Sequence, residues 1–383
     1  MPATAVSVPP VKTARYLSLD VLRGLTIALM IVVNTPGSWA NIYAPFRHAE
    51  WHGFTLTDLV FPTFLFVVGN AMSFSMKKFS MQEDSVFLKK VLSRTLLIFG
   101  IGLLLNYYPF VERNEAGDTI LKDITGLRIM GVLQRIALCY FIASLVVRYF
   151  KQTGAIIFGA FTLLAYWAVM YYFGTGADRY SLEGNAALRF DQLLIADKNL
   201  YRGFGIPFDP EGLLSTLPAV VNVIAGYVAG IFIQKATNKS SSALRLIISG
   251  TVLIAAALLW NTYFPINKPI WTSSYVLHTV GLDLLILAAL IFVIEVAGFR
   301  RWAYFFEAFG KNPLFIYIMA GAVIKTVGFI RIGDKSLQGW VYDNLFLSWA
   351  EGKNASLLFA LFYMLLMWLM AYVMDKKKLY VKV

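Results

Sequence analysis

Two histidines, His48 and His52, stand in one segment between the first two apolar runs of the chain: NTPGSWANIYAPFRHAEWHGFTLTDLVFP. Histidine titrates nearest neutral pH, so either residue could transfer a proton or carry a group during a reaction. The same segment also suits two interfacial histidines beside an aromatic belt of tryptophan and tyrosine. The pattern therefore predicts either an active site or a loop at a membrane interface.

Two further polar residues lie at the helix ends that flank this segment. Asp58 follows His48 by ten residues and lies in the first turns of the second apolar run. It could hydrogen-bond an imidazole and fix its tautomer, as acidic residues do in catalytic triads. Alternatively, it could be a carboxylate that the helix dipole favours. Asn34, at the end of the first run, could donate a hydrogen bond to a developing oxyanion.

A second set of polar residues lies near the opposite ends of the predicted helices. Arginine and lysine there could hold the phosphates of an anionic cofactor, and the alternative is ordinary anchoring by basic residues beside a membrane. Arg135 is harder to explain by anchoring because it lies well inside an apolar run, where a charge is costly. The candidates for cofactor contacts are Arg23, Arg94, Gln134, Arg135, Lys311 and Asn312.

The composition indicates that membrane-spanning helices must position these residues. Hydrophobic residues make up 58% of the 383, charged residues 15%, and the mean hydropathy is +0.64, whereas soluble chains carry about 25% charged residues. Several apolar runs reach the roughly 20 residues that cross a bilayer. We predict an all-α polytopic membrane protein with about ten spans, near residues 17–35, 54–76, 91–110, 129–148, 154–173, 213–234, 246–264, 271–296, 312–330 and 355–374.

The net charge of +12 is distributed unequally between the two sets of connections. Nineteen basic residues fall on the side that holds the N-terminus, and 13 fall on the other side. The positive-inside rule then places both termini in the cytoplasm. The charge thus reports orientation, and nucleic-acid binding is not predicted. Within one domain, 1–383, we expect a flexible cytoplasmic N-terminus at 1–14, an ordered outer loop at 174–212 and a basic cytoplasmic tail at 375–383.

Several other chemistries are excluded. Cys139 is the one cysteine, so an intrachain disulfide and a cysteine-ligand metal cluster cannot form. The three histidines match no usual metal-ligand spacing, and the chain has no GxxxxGK[ST], GxSxG or HExxH motif. We predict no metal and assign structural roles to His52 and His278.

Longer stretches of the sequence resemble a known family. RYLSLDVLRGLTIALMIVVN and RHAEWHGFTLTDLVFPTFLFVVGN look like the heparan-α-glucosaminide N-acetyltransferase family of transmembrane acyltransferases, which includes bacterial relatives. The resemblance continues in the same order over roughly residues 15–375, through RIMGVLQRIALCYF, FDPEGLLSTLPAVVNVIAGYVAG, PINKPIWTSSYVLHTVGLD and FGKNPLFIYIMAG.

The resemblance implies acetyl transfer across a membrane. Acetyl-CoA would be taken from the cytoplasmic side, without a metal, and the acetyl group would pass to the amine of a terminal glucosamine on the far side. The family's active histidine falls on His48, its active-site asparagine on Asn34 and its aspartate on Asp58. The sequence has no large soluble domain before the first span, unlike the lysosomal members. We therefore expect a bacterial inner membrane, with a homodimer suggested by the related enzymes.

Two alternatives stay open at this point. The same family chemistry could acylate another envelope glycan. From a different class, the chain could transport an amino sugar or an acyl carrier without chemistry, since Asp58, Arg135 and Asp283 within spans also suit a transport pathway.

Overall fold

Of the residues that the structure describes, 70% are in helices. A computed structural model describes residues 16–79 and 82–381. The predicted N-terminus, 1–14, and the last two residues of the predicted tail lie outside the described residues. The helices are α1 Leu17–Asn34, α2 Leu56–Phe79, α3 Asp84–Tyr107, α4 Val132–Phe173, α5 Ala186–Leu194, α6 Thr216–Lys235, α7 Lys239–Trp260, α8 Ser273–Leu290, α9 Ala303–Lys311, α10 Pro313–Phe329, α11 Leu337–Tyr342 and α12 Gly352–Lys376.

Two small antiparallel hairpins are the only strands in the described part of the chain. One pairs β1 Val111–Arg113 with β2 Thr119–Leu121, and the other pairs β3 Arg331–Ile332 with β4 Lys335–Ser336. Strands of two or three residues are too short to leave an alternating pattern in the sequence. The all-α prediction therefore missed both of them.

Every predicted span coincides with helix, but the number of spans stays a prediction. Seven of the described helices are long and apolar enough to cross a membrane, or eight if α9 and α10, bent by 85° relative to each other, form one span. The helix α3, which carries Asp84, Lys89, Lys90 and Arg94, is not among them. An integral membrane protein is the architecture that these helices support.

The helix α4 reverses direction at Lys151, which has a φ of 57°. Cys139 Sγ lies 3.8 Å from the carbonyl oxygen of Thr216, and Gly159 packs against Val221. The two α6 positions are about 7.5 Å apart, whereas residues 139 and 159 would be about 30 Å apart in a straight helix. The element therefore consists of two antiparallel segments, in the places where the sequence predicted two separate spans.

The bundle has two ends with different chemistry. We call one the His48 end; it comprises the connections 35–55, 108–131, 174–215, 261–272 and 330–351. The opposite Lys311 end comprises the start of α1, the α2–α3 connection and the ends of α9 and α12. Asp375 near the end of α12 pairs there with Lys311, at 2.9 Å.

The helices α2 and α6 cross in the centre of the bundle at glycine contacts. A Cβ on Gly69 would lie 1.9 Å from the carbonyl oxygen of Val223, and a Cβ on Gly226 would lie 1.9 Å from that of Phe66. Only glycine permits this approach, as in small-residue crossings of membrane helices. The crossing fixes α2, which carries Asp58 at one end and Phe64 near its middle.

Candidate active site

The loop that holds His48 is folded back over the start of α2. A short 3-10 turn at Ala44–Phe46 contains Pro45 and directs the chain towards His48. Thr55 Oγ1 donates to the carbonyl oxygen of Arg47 at 2.6 Å, which closes the loop. The backbone N–H of Gly53 donates to Ile266 at 2.8 Å and ties the loop to the connection 261–272.

Asp58 holds both His48 and the loop, with one carboxylate oxygen for each. Oδ1 lies 2.7 Å from His48 Nδ1. Oδ2 accepts from the backbone N–H groups of Ala49 and Thr55, each at 3.1 Å, and from Thr55 Oγ1 at 3.0 Å. The contact with the Thr55 N–H is one half of a capping box. Asp58 therefore contacts the imidazole of His48 and also lies as a carboxylate at the N-terminus of α2, which are the two alternatives that the sequence suggested for it.

This geometry fixes the tautomer of His48. A carboxylate oxygen only accepts, so Nδ1 carries the proton in this hydrogen bond and Nε2 keeps its lone pair. The Asp58 side chain is 2% exposed, whereas that of His48 is 50% exposed. A buried anion behind a half-exposed imidazole is the arrangement that a general base or a nucleophilic histidine needs.

Lys268 joins this pair from a distant part of the sequence. Its Nζ lies 3.2 Å from His48 Nδ1, 3.5 Å from His48 Nε2 and 3.7 Å from Asp58 Oδ1. Burial lowers the pKa of Lys268, although the Asp58 carboxylate opposes this shift. Lys268 therefore brings a third ionisable side chain to the His48–Asp58 pair.

A cavity of about 150 Å³ lies in front of this group. Its polar lining is formed by Asn34, His48, Thr57, Glu211, Lys268 and Tyr317. Asn34 is the last residue of α1 and is exposed. The predicted site residues Asn34 and His48 thus face one space, with Asp58 directly behind the histidine.

Glu211 is held in place by a network at the His48 end. Arg128 Nη2 donates to Glu211 Oε2 at 2.5 Å, and the same guanidinium makes two hydrogen bonds to Asp209, at 2.7 and 2.9 Å. The Arg128 guanidinium also lies 4.6 Å from the ring centre of Tyr201. The hydrogen bonds from Arg128 hold this part of the loop 174–212 in place, so that Glu211 lines the cavity.

A second cavity, of about 300 Å³, lies nearer the Lys311 end. Arg23, Arg94 and Lys311 are among its lining residues. Phe64 lines both this cavity and the one in front of His48. The two spaces therefore share one lining side chain, near the middle of α2.

The three cations of this second cavity have different partners. Lys311 pairs with Glu307 at 3.2 Å and with Asp375 at 2.9 Å. Arg23 contacts Asp20 at 3.3 Å and the carbonyl oxygen of Gly310 at 3.2 Å. Arg94 lies over the Tyr140 ring at 4.9 Å, and its buried Nε has no hydrogen-bond partner in the described chain. Arg94 is therefore the cation best able to accept an anionic ligand.

The other three predicted cofactor contacts lie outside the lining of this cavity. Arg135 is fully buried, stacks 4.9 Å from the Trp271 ring and donates to Gly212 and Ser215 near the His48 end. Gln134 is buried next to Gly102 and Gly131. Asn312 holds the C-terminal segment, through Leu379 and Val381, each at 2.9 Å.

The remaining histidines make contacts within the fold. His52 lies 3.3 Å from Asn267 and 3.9 Å from Asp178. Burial lowers its pKa, partly offset by Asp178. His278 packs edge-on against Phe54, with ring centres 4.7 Å apart. Neither residue lines the cavity in front of His48.

Comparison with known proteins shows what this part of the chain is similar to. The family profile described as "Heparan-alpha-glucosaminide N-acetyltransferase, catalytic" matches residues 15–184, a range that includes Asn34, His48 and Asp58. The family resemblance is confirmed. Glu211 and Lys268 lie beyond the part of the chain that this family profile matches.

Two curated relatives of this family extend the similarity along the chain. The human heparan-alpha-glucosaminide N-acetyltransferase is 27% identical over 357 residues, covering 79% of this chain and 52% of the relative. The mouse protein of the same name is 26% identical over 422 residues, covering 96% and 60%. The chain thus spans between half and three fifths of the length of these relatives.

Sequence reasoning did not predict Lys268, Glu211 or Arg128 as site residues. Lys268 is 220 residues from His48, and Glu211 is 83 residues from Arg128. All three stand in loops, where a charged residue is ordinary and carries no periodic signal. Their one distinguishing feature was that PINKPIW, FDPEG and RIMGVLQ, which contain them, belong to the stretches that resembled the family.

Proposed function

We propose that this protein is a transmembrane N-acetyltransferase that uses acetyl-CoA to acetylate the amine of a glucosamine-type sugar or glycan end. The observation that carries the proposal is the pair of cavities that share Phe64 in their lining. One has basic side chains and the other has a histidine with a buried carboxylate behind it. In a bacterial inner membrane with both termini cytoplasmic, the donor would enter at the Lys311 end.

The donor side of the proposal rests on charge. The phosphates of CoA carry several negative charges, and they would bind near Arg94, Arg23 and Lys311. The pantetheine arm would pass Phe64 and bring the thioester into the cavity in front of His48. The partnerless Nε of Arg94 is the contact that fits a phosphate oxygen best.

In the proposed chemical step, His48, Asp58 and Asn34 act on the amine and the thioester. The amine nitrogen bonds to the thioester carbon, the C–S bond breaks, and CoA leaves as a thiolate. His48 Nε2 takes the proton that the amine loses and passes it to the thiolate or to solvent. Asp58 stabilises the imidazolium that forms, and Asn34 donates to the oxyanion. In a second order of events, Nε2 bonds to the thioester carbon first, the C–S bond breaks and CoA leaves as a thiolate. The amine then bonds to the acetyl carbon, the bond to Nε2 breaks, and the proton of the amine passes to the thiolate or to solvent.

The acceptor side of the proposal rests on Glu211. Among the described residues that line the cavity in front of His48, it is the one acid. An amino sugar arrives partly as an ammonium ion, and Lys268 alone would repel it. The Glu211 carboxylate offsets that charge and offers an oxygen to the ammonium or to a neighbouring hydroxyl group.

The test of this function is a turnover assay with the purified chain. It would be incubated with acetyl-CoA that carries a labelled acetyl group, together with glucosamine, galactosamine or a glucosamine-ended oligosaccharide. We expect labelled N-acetylated product and an equal amount of free CoA. Absence of product with every amino-sugar acceptor, from protein that binds acetyl-CoA, would reject the acetyltransferase and favour transport without chemistry.

The Arg94→Met variant is expected to raise the KM for acetyl-CoA by about tenfold, because a charge-assisted hydrogen bond to phosphate is lost. The KM for glucosamine should stay within about twofold, since Arg94 does not line the acceptor cavity. Steady-state kinetics with each substrate varied separately measures both values. Arg301→Met, an exposed arginine at the same end of the bundle, is the matched control, and an equal effect there would refute a specific role for Arg94.

The Glu211→Gln variant is expected to show the opposite pattern. Its KM for glucosamine should rise by about tenfold, because glutamine keeps the shape of the side chain but removes the charge that attracts an ammonium ion. The KM for acetyl-CoA should not change. Glu183→Gln, an exposed glutamate at the same end, serves as the control. A proportional rise in both KM values would point to a disturbed fold and contradict the assigned role.

A further inference from the structure

A large groove, separate from both cavities, lies between the second segment of α4 and the helices α6, α7 and α8. Its volume is about 860 Å³. Its walls are almost entirely apolar and include small residues such as Gly159, Ala225 and Ala229. Ile248 and Val252 on its rim are 55% and 60% exposed. We call this space the α4–α7 groove, and nothing in the proposed acetyl transfer uses it.

The polar residues of the groove are concentrated at one end. Gln152 is the first residue after the break in α4 at Lys151, and Arg245 lies two turns into α7. Ser249 follows Arg245 by one helical turn on the same face. Towards the other end, the groove is lined by Leu163, Leu253 and Val276. The groove is therefore amphipathic along its length, with a cationic end and an apolar end.

Arg245 is exposed, and within residues 16–79 and 82–381 it makes no hydrogen bond or ion pair. Other basic residues at the Lys311 end do have partners, for example Lys239 with Glu295 at 3.0 Å and Arg148 with Asp84 at 2.8 Å. The guanidinium N–H groups of such an arginine, at the mouth of an apolar groove, can donate two parallel hydrogen bonds to a phosphate group.

The length of the groove matches one leaflet of a bilayer. The stretch from Gln152 to Leu163 rises by about 16 Å along α4, and the hydrocarbon core of a bilayer is about 30 Å thick. A lipid chain that begins at the Arg245 end would therefore reach the middle of the membrane. A phospholipid has the polarity that the groove has, with a charged group at one end and hydrocarbon beyond it.

We infer that the α4–α7 groove binds an anionic phospholipid of the leaflet at the Lys311 end, with its phosphate at Arg245 and Gln152 and an acyl chain along α6. Chain burial gives affinity in proportion to the apolar area covered. Arg245 supplies the preference for an anionic headgroup over a zwitterionic one. This site is independent of the acetyl-transfer proposal, and its failure would leave that proposal untouched.

The test uses purified protein in a neutral detergent, with phosphatidylglycerol or phosphatidylcholine added and bound lipid counted by native mass spectrometry. Wild type is expected to retain phosphatidylglycerol in preference to phosphatidylcholine. The Arg245→Gln variant should retain about fivefold less phosphatidylglycerol, with phosphatidylcholine unchanged. Arg301→Gln, which does not line the groove, should behave as wild type.

A second variant tests the apolar part of the site. Ala160→Leu combined with Ser249→Leu fills the groove from two exposed positions, and retention of both lipids should fall. Equal retention of phosphatidylglycerol by wild type and Arg245→Gln would overturn the inference. Disulfide cross-linking between two copies of the Ile248→Cys variant would overturn it as well, because a second copy would then cover the groove.

Discussion

Replacement of His48 by alanine is expected to lower kcat for acetyl transfer by about 10²- to 10⁴-fold, the range that general acid–base catalysis contributes. The imidazole is the side chain in the cavity whose free nitrogen, Nε2, can take a proton from the acceptor amine. The Kd for acetyl-CoA should stay within about twofold of wild type, because the basic cavity at the Lys311 end is not altered. Single-turnover kinetics and equilibrium binding measure the two quantities separately.

The matched control for this variant is His52→Ala. His52 is in the same loop and contacts Asn267 at 3.3 Å, but it does not line the cavity. We expect its kcat to remain within a few-fold of wild type, with some loss of stability from the broken loop contact. If His48→Ala kept full turnover, or if both variants lost activity equally, the role assigned to His48 would be wrong.

The Asp58→Asn variant is expected to reduce kcat by about 10²- to 10⁴-fold, by analogy with the loss of the orienting aspartate in catalytic triads. The asparagine cannot stabilise an imidazolium by charge, and it can stabilise the wrong tautomer of His48. The pH dependence of kcat should change as well, because the charge behind the histidine is gone. Kinetics over a range of pH values measures both effects.

The Thr55→Ala variant distinguishes the catalytic role of Asp58 from its role at the N-terminus of α2. It removes the hydroxyl contacts with Asp58 Oδ2 and with the carbonyl oxygen of Arg47, and it leaves the Oδ1 contact with His48 in place. Loss of a capping side chain costs about 1 kcal/mol of stability, and kcat should hardly change. An Asp58→Asn variant with wild-type kcat and pH profile would show that the carboxylate serves the helix alone.

The sequence predicted the part of the site that is local. Asn34, His48 and Asp58 lie within 25 residues of one another, so the loop that joins α1 and α2 brings them together with little help from the rest of the chain. Lys268 and Glu211 reach the same cavity from other connections. A single sequence contains no signal that two residues so far apart along the chain are close in space. The structure was needed to bring Lys268 and Glu211 to the cavity in front of His48.

Two other expectations show the same difference between local and distant contacts. Arg148 and Lys151 interrupt a long apolar stretch, and this local signal correctly placed a break where α4 reverses. Arg135 was expected near an anionic cofactor because a charge inside an apolar run needs a partner. Its neighbours are the Trp271 ring, Gly212 and Ser215. Which partner satisfies a buried charge depends on tertiary packing, which periodicity does not encode.

Transfer of the acetyl group from one side of a membrane to the other tests the account most directly. The protein would be reconstituted in sealed vesicles in a single orientation, with labelled acetyl-CoA at the Lys311 end and glucosamine at the His48 end. We predict labelled N-acetylglucosamine on the His48 side and free CoA on the Lys311 side, and no product when the two substrates exchange sides. Product formed only when both substrates share one side would contradict a donor path past Phe64.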